Sequence, residues 1–249
     1  MSLGLHDNGF LLVDPLVPER ELIRLRAEAD RLLGQGTGRG GVRSVLEKSA
    51  LFRDWSLYGP LSGFASMHLE SGARGRTLCA RCSAAGARPV EVILFDKSPI
   101  ANWKVPWHQD LSIAVRERRD VPGFSAWSVK DGVPHVQPPV EVLQQILVIR
   151  LHLDDTSAAN GVLRVLPGRH RFGRLQATAI EEIKAAVVPE ECPVRAGGAM
   201  LMRPLLLHAS SVATVPGRRR VMHFVYTAGG QPAGPQWAAV SAGTTVGTS

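Results

Sequence analysis

Cysteine is scarce, with three in 249 residues. So small and odd a number cannot build a disulfide framework, which excludes a stapled secreted scaffold and fits reduced thiols in a cytoplasmic protein. Cys79-Ala80-Arg81-Cys82 has the spacing of a redox pair. No second pair follows and no strand-then-helix pattern encloses it, so it is assigned no role. Long apolar runs are missing too: none approaches the roughly 20 residues of a membrane helix. The opening stretch Met1 to Asp7 has no basic region followed by an apolar one, so neither membrane insertion nor export is expected. Aromatics are few at 6%, and only five of the 29 basic residues are lysine. Against 22 acids this leaves a charge of +7. The arginines are scattered, no lysine-rich arm exists, and rings for stacking bases are rare, so nucleic acid is not expected as a partner.

What is present suits a soluble globular chain: 45% hydrophobic and 20% charged residues, long enough to bury a real core. Asp14-Pro15 and Pro18-Glu19 announce a helix start, and Leu22, Leu25, Ala29, Leu32 and Leu33 recur at helical spacing until Gly34 and Gly36. Residues 36–45 read as a loop. Shorter helices are expected over 59–70 and 178–186. From Pro89 the texture turns β-branched. Strands are expected at Val90 to Phe95, Ile146 to Leu153, Val162 to Leu166, Ala199 to Met202 and Val221 to Tyr226. The Pro-, Gly- and charge-rich stretch 116–139 reads as a long loop, with 112–139 as a lid. Trp127 is its expected aromatic cover and His135 a polar contact to substrate, or else a loop histidine without a role. Many short strands after N-terminal helices argue for a mainly β jelly roll, one domain over 1–228. The Gly-, Ala-, Pro-, Ser- and Thr-rich residues 229–249 read as a flexible tail.

Trp107-His108-Gln109-Asp110 follows the first confident strand. In extended backbone residues i and i+2 share a face, so His108 and Asp110 can converge on one point. A third ligand must come from elsewhere, and His208 is the candidate. Two histidines and a carboxylate on one face of an octahedral ion leave positions open opposite, the arrangement of non-haem Fe(II) oxygenases. Arg219 stands 11 residues beyond His208 at the start of a strand, and a guanidinium fork suits the distal carboxylate of a 2-oxoglutarate cosubstrate. Alternation puts Arg218 and Arg220 on the opposite face, where solvent is expected. On the strand from Ile146, Val148, Arg150, His152 and Asp154 share one face. Whether it turns to the barrel interior or to solvent stays open.

Lys97 to Asp110, Leu151 to His170, His208-Ala209-Ser210 and Arg219 together resemble the phytanoyl-CoA dioxygenase family, over roughly residues 10–228. The resemblance implies a double-stranded β-helix, a cupin-like jelly roll with packing helices. It also implies an Fe(II)- and 2-oxoglutarate-dependent dioxygenase that uses O2 and releases succinate and CO2 as it oxidises a C–H bond of a small molecule. It makes His108, Asp110 and His208 the iron ligands. Arg219 pairs with the cosubstrate carboxylate, Ser210 supports it, and Arg150 is a further candidate for the same pocket. Asp110 stands where halogenating relatives have a small residue, which favours hydroxylation. Two features depart from the family: Gly168-Arg169-His170 replaces Gly-Ser-His, and Arg150 lies where an aromatic is common. His6, His68, His170 and His223 are assigned no role, although His223 shares a strand face with Arg219. Competing expectations are a metal-dependent jelly-roll enzyme that uses no 2-oxoglutarate, and a basic module binding or oxidising nucleic acid.

Overall fold

Two-residue alternation along the long strands decides which side chains meet the helices and which meet an internal cavity. The structure, a computed structural model, describes residues 4–34, 40–70, 86–215, 217–228 and 234–238; Cys79 and Cys82 lie outside them. Strands β1 (Phe10–Val13), β2 (Gly41–Val42), β3 (Arg88–Lys97) and β4 (Val105–His108) come first. They are followed by β5 (Ile113–Ala114), β6 (Ser125–Lys130), β7 (Val133–Gln137), β8 (Ile146–His152) and β9 (Leu163–Val165). The last are β10 (Glu190–Cys192), β11 (Ala199–Met202), β12 (His208–Ser210) and β13 (Arg219–Thr227). A six-stranded sheet in the order β1-β11-β8-β13-β3-β2 faces a four-stranded sheet, β10-β9-β12-β4, and β5-β7-β6 form a third. Every pairing is antiparallel. This is the expected jelly roll.

Helices α1 (Leu5–Asn8), α2 (Glu19–Gly34), α3 (Val45–Lys48), α4 (Ala50–Tyr58) and α5 (Pro60–Glu70) precede β3; α6 (Val140–Leu143) and α7 (Ala177–Ala186) come later. Glu19 and Glu21 complement the N-terminal dipole of α2, whose Leu22, Leu25, Ala29 and Leu32 are buried. They pack on the outer face of the six-stranded sheet, where Leu147, Ile149 and Leu151 of β8 meet Met222 and Phe224 of β13. The opposite β8 residues, Ile146 and Val148, belong to the inner cluster. The face carrying Arg150 and His152 therefore points into the barrel, while Asp154, beyond the strand's end, lies on the outer face.

Three expectations are corrected. The stretch 116–139 is not a bare loop: β6 and β7 pair as a hairpin and β5 adds to it. Asp131 and Gly132 turn it with φ of 49° and 80°, the two positive values that an Asp-Gly hairpin turn requires. The tail is not wholly loose. Trp237 is 5% exposed and bridges to Val115, flanked by Arg116 N–H donating to Gln236 O and Ala238 N–H donating to Ala114 O. Packing an indole outweighs the local Gly-Pro composition. Arg220 does not reach solvent. Its guanidinium donates to both carboxylate oxygens of Asp154, at 2.7 and 2.8 Å, and to Asp30 Oδ1 at 2.6 Å. Alternation did turn it away from Arg219, but that outer face lies under α2. Arg218, half-exposed, pairs with Asp30 as well.

Candidate metal centre

Strands β4 and β12 are antiparallel neighbours in which His108 and His208 stand opposite one another, their ring centroids 4.2 Å apart. Asp110 lies two residues past His108, its N–H donating to Pro204 O. Between them Gln109 turns the other way. Its amide nitrogen donates to Gly173 O and Leu205 O, and its oxygen accepts from Leu175 N–H, which locks the segment in register. The result is three ligand atoms, one from each of His108, Asp110 and His208, all within 4.8 Å of one another.

The protonation pattern suits a cation. His108 Nδ1 donates to Pro106 O and His208 Nδ1 donates to Leu206 O, both at 2.9 Å. A carbonyl can only accept, so Nδ1 carries the hydrogen in each ring and Nε2 is the atom that a cation could take as ligand. The two Nε2 atoms stand 3.7 and 3.9 Å from Asp110 Oδ1, spaced to admit an ion between them. Burial lowers the His208 pKa to about 4, with His108 and Arg150 adding to the effect against the pull of Asp110. Burial opposes ionisation of Asp110, but His208, His223, His108 and Arg150 outweigh it and hold the carboxyl below its ordinary value. Two imidazole nitrogens and one carboxylate are the donor set of a divalent transition metal.

His223 was assigned no role, yet it lies at this cluster. Arg150 Nη1 donates to its Nδ1 at 3.1 Å, so Nε2 holds the hydrogen and faces Asp110 Oδ2 at 4.0 Å. Its alternation with Arg219 on β13 was the one available signal. Arg219, 4% exposed, donates through Nη1 to the carbonyl of Gly161. Ser210 Oγ donates to the same carbonyl at 2.7 Å and accepts from Lys97 Nζ at 2.7 Å. Lys97 is buried as well, and desolvation, helped by Arg219 and Arg150, lowers its pKa to about 8. Asp110 Oδ2, Arg150 Nε, Arg219 Nε and both nitrogens of His152 are buried without a hydrogen-bond partner. Orphaned cationic N–H groups in a barrel interior fit an anionic ligand, as the orphaned carboxylate oxygen fits a cation.

A cavity of about 480 Å3 has the His-Asp-His cluster, Arg150, Arg219, His223 and Ser210 in its wall. The third sheet contributes Lys130 and His135 to the wall, and Trp237 closes another side. His135 is 2% exposed, with Nδ1 against Val133 O and Nε2 3.3 Å from Glu91 Oε1. Trp127 is not in the wall: its ring lies under the Arg118 guanidinium and packs on the inner apolar cluster. Position 127 sits where the β6 pairing register shifts, beside Ala126 with its positive φ, and that irregularity turns the ring away. Trp237 supplies the indole instead. His6, His68 and His170 stay outside the wall, and His170 Nε2 donates to His6 O near the N-terminus.

A jelly roll whose two facing strands hold two histidines and a carboxylate beside an arginine-lined cavity defines the class of mononuclear metal oxygenases. The phytanoyl-CoA dioxygenase family model matches residues 5–221, and the chain belongs to that family. No curated protein sequence matches it. Its fold is similar to that of AviO1 from Streptomyces viridochromogenes Tue57, at 21% identity and TM-score 0.63 over 94% of each chain. It is also similar to SnoK, the non-haem alpha-ketoglutarate-dependent carbocyclase from nogalamycin biosynthesis, at 16% identity and TM-score 0.64 over 90% of this chain and 81% of that one. EctD from S. alaskensis resembles it at 15% identity and TM-score 0.65, over 90% of this chain and 74% of that one. Among the described residues no helix is long and apolar enough to cross a membrane.

Proposed function

We propose that the chain is an Fe(II)- and 2-oxoglutarate-dependent dioxygenase that hydroxylates or otherwise oxidises a C–H bond of a small molecule. The observation that carries this is the His108, Asp110 and His208 cluster opening onto the same cavity as Arg219. His108 and His208 hold the metal through Nε2, each oriented by its Nδ1 hydrogen bond, and Asp110 supplies the charge. When bound, Fe(II) with 2-oxoglutarate activates O2 by oxidative decarboxylation, giving succinate and CO2.

The protein's part is to bind, orient and exclude water. Arg219 grips the distal carboxylate of the cosubstrate through its fork, held in place by the Gly161 carbonyl. Ser210 fixes that carbonyl, and Lys97 holds the Ser210 hydroxyl in turn. Arg150 orients His223 beside the metal cluster. SnoN crystallised with Fe3+, alpha-ketoglutarate and nogalamycin RO, and EctD with 2-oxoglutarate and 5-hydroxyectoine; both support a small-molecule substrate here. Trp237 and His135 line the substrate end, and Trp127 is not part of the wall. The test is succinate release from 2-oxoglutarate: it requires Fe(II) in the wild type, and Arg219→Ala abolishes it. Substrate oxidation that consumes no 2-oxoglutarate rejects the proposal.

A further inference from the structure

The cavity wall carries four cationic side chains, Arg43, Lys130, Arg150 and Arg219, against two carboxylates, Glu91 and Asp110. The Fe(II) and 2-oxoglutarate proposed above carry equal and opposite charges, so loading both leaves the surplus untouched. A positive surplus facing a largely apolar cavity is costly unless an anion joins it, because the low dielectric strengthens every uncompensated charge.

The surplus can be located. The surplus is two: Arg219 belongs to the cosubstrate seat, and Arg150, bonded to the uncharged His223 beside the metal cluster, carries one of the two charges. Arg43 donates to Glu91 Oε1 at 3.1 Å, and Glu91 also meets His135. Lys130 carries the other. Among the described residues its hydrogen-bond acceptor is the Ser112 hydroxyl at 2.7 Å, a neutral group, and it is half-buried on the third sheet. Burial lowers its pKa, and the nearby charge of Arg43 adds to this against Glu91 and Asp110, so ammonium at this spot gains from an arriving anion. The wall also carries apolar side chains, Val90, Ile93, Ile113, Leu143, Ile146 and Trp237.

We infer that the substrate is a small carboxylic acid with an apolar body, its carboxylate on Lys130 and its hydrocarbon part laid along this wall toward the metal. A single ammonium, with Arg43 already engaged, matches the single charge of a carboxylate. The inference rests on the proposed cofactor loading, because 2-oxoglutarate must occupy the Arg219 seat for Lys130 to be the anion's partner.

The experiment uses the full chain loaded anaerobically with Fe(II) and 2-oxoglutarate, so that no turnover occurs. Octanoate and 4-phenylbutanoate are titrated beside their primary amides and the corresponding amines, by saturation-transfer NMR and by perturbation of the visible Fe(II)–2-oxoglutarate absorption. In the wild type at least one acid binds about tenfold or more tightly than its amide. Lys130→Gln, which can keep the hydrogen bond to Ser112 while losing the charge, erases that preference. Lys130→Glu reverses it toward the amine. Equal binding of acid and amide, no binding of either acid, or a preference that survives Lys130→Gln overturns the inference. Absence of the Fe(II)–2-oxoglutarate absorption in the wild type instead rejects the cofactor assignment, so the two failures are distinguishable.

Discussion

Gly161→Ala is a sharp test of how the inner end of the cavity is built. Gly161 follows a short turn closed by Asn160 Oδ1, which accepts from Ser157 N–H, and it has φ of 78° and ψ of 52°. That left-handed conformation costs an L-residue about 1–2 kcal/mol. A Cβ would also stand 2.7 Å from the Ser211 carbonyl oxygen and 2.9 Å from Lys97 Nζ. The backbone oxygen cannot swing aside, and overpacking of this kind adds about 1–3 kcal/mol. The expected total is about 3 kcal/mol, or about 6–12 °C in Tm for a chain of this size. Gly132→Ala is the matched control: φ is also positive, at 80°, but nothing lies within 4 Å of its Cβ. It bears the conformational cost alone, about 1 kcal/mol, or about 2–4 °C. Scanning calorimetry on both variants, with 2-oxoglutarate titrated into the Fe(II)-loaded proteins, separates the contributions. Gly161→Ala loses affinity for the cosubstrate because the carbonyl that holds Arg219 and Ser210 must move; Gly132→Ala does not. Equal Tm losses with unchanged cosubstrate affinity would refute the reasoning.

Other outcomes follow from the same structure. Arg220→Met leaves the mostly buried Asp154 carboxylate without its bidentate partner and costs about 3 kcal/mol in urea unfolding, much of it recovered in the double variant with Asp154→Leu. A double variant no more stable than the single one would contradict this. Trp237→Ala empties a buried indole site and costs about 3 kcal/mol, and a drop below about 1 kcal/mol would show that the C-terminal segment does not cover the cavity. His152 is buried neutral, its pKa pushed well below the ordinary value by desolvation and by Arg150 and Arg219. Its folded pKa is depressed, so its full contribution to stability is present above about pH 6.5. Below that pH the unfolded chain takes up a proton that the folded one refuses, and stability falls by up to about 1.4 kcal/mol per pH unit until the folded pKa is reached. His152→Gln flattens that slope between pH 6 and 5; an unchanged slope assigns the acid sensitivity elsewhere.

The parts of this molecule that were legible from the sequence are those set by local spacing. His108 and Asp110 two apart on extended backbone, the leucine periodicity of α2 and the β-branched runs of β3, β8, β11 and β13 all follow from short-range geometry. What escaped was set by partners distant in the chain. Arg220 looks solvated until Asp154 and Asp30, 66 and 190 residues away, close around it. His223 has no motif around it, and only the pairing of β13 with β8 brings Arg150 opposite it and places it at the cluster. Trp237 lies in a stretch whose composition favours disorder, and one large ring reverses that locally. The hairpin in 116–139 carried a readable signal, Asp131-Gly132, obscured by the surrounding prolines and charges.

The proposed function requires one cavity to seat a metal and a dicarboxylate together. The most direct measurement is an anaerobic titration of the purified chain with Fe(II) and then 2-oxoglutarate, followed by visible absorption. One iron per chain is expected, with a charge-transfer band appearing on addition of 2-oxoglutarate, weakened at least tenfold in apparent affinity by Arg219→Ala and absent in His108→Ala/His208→Ala. Iron that binds without such a band, or a band unaffected by both sets of substitutions, would contradict it.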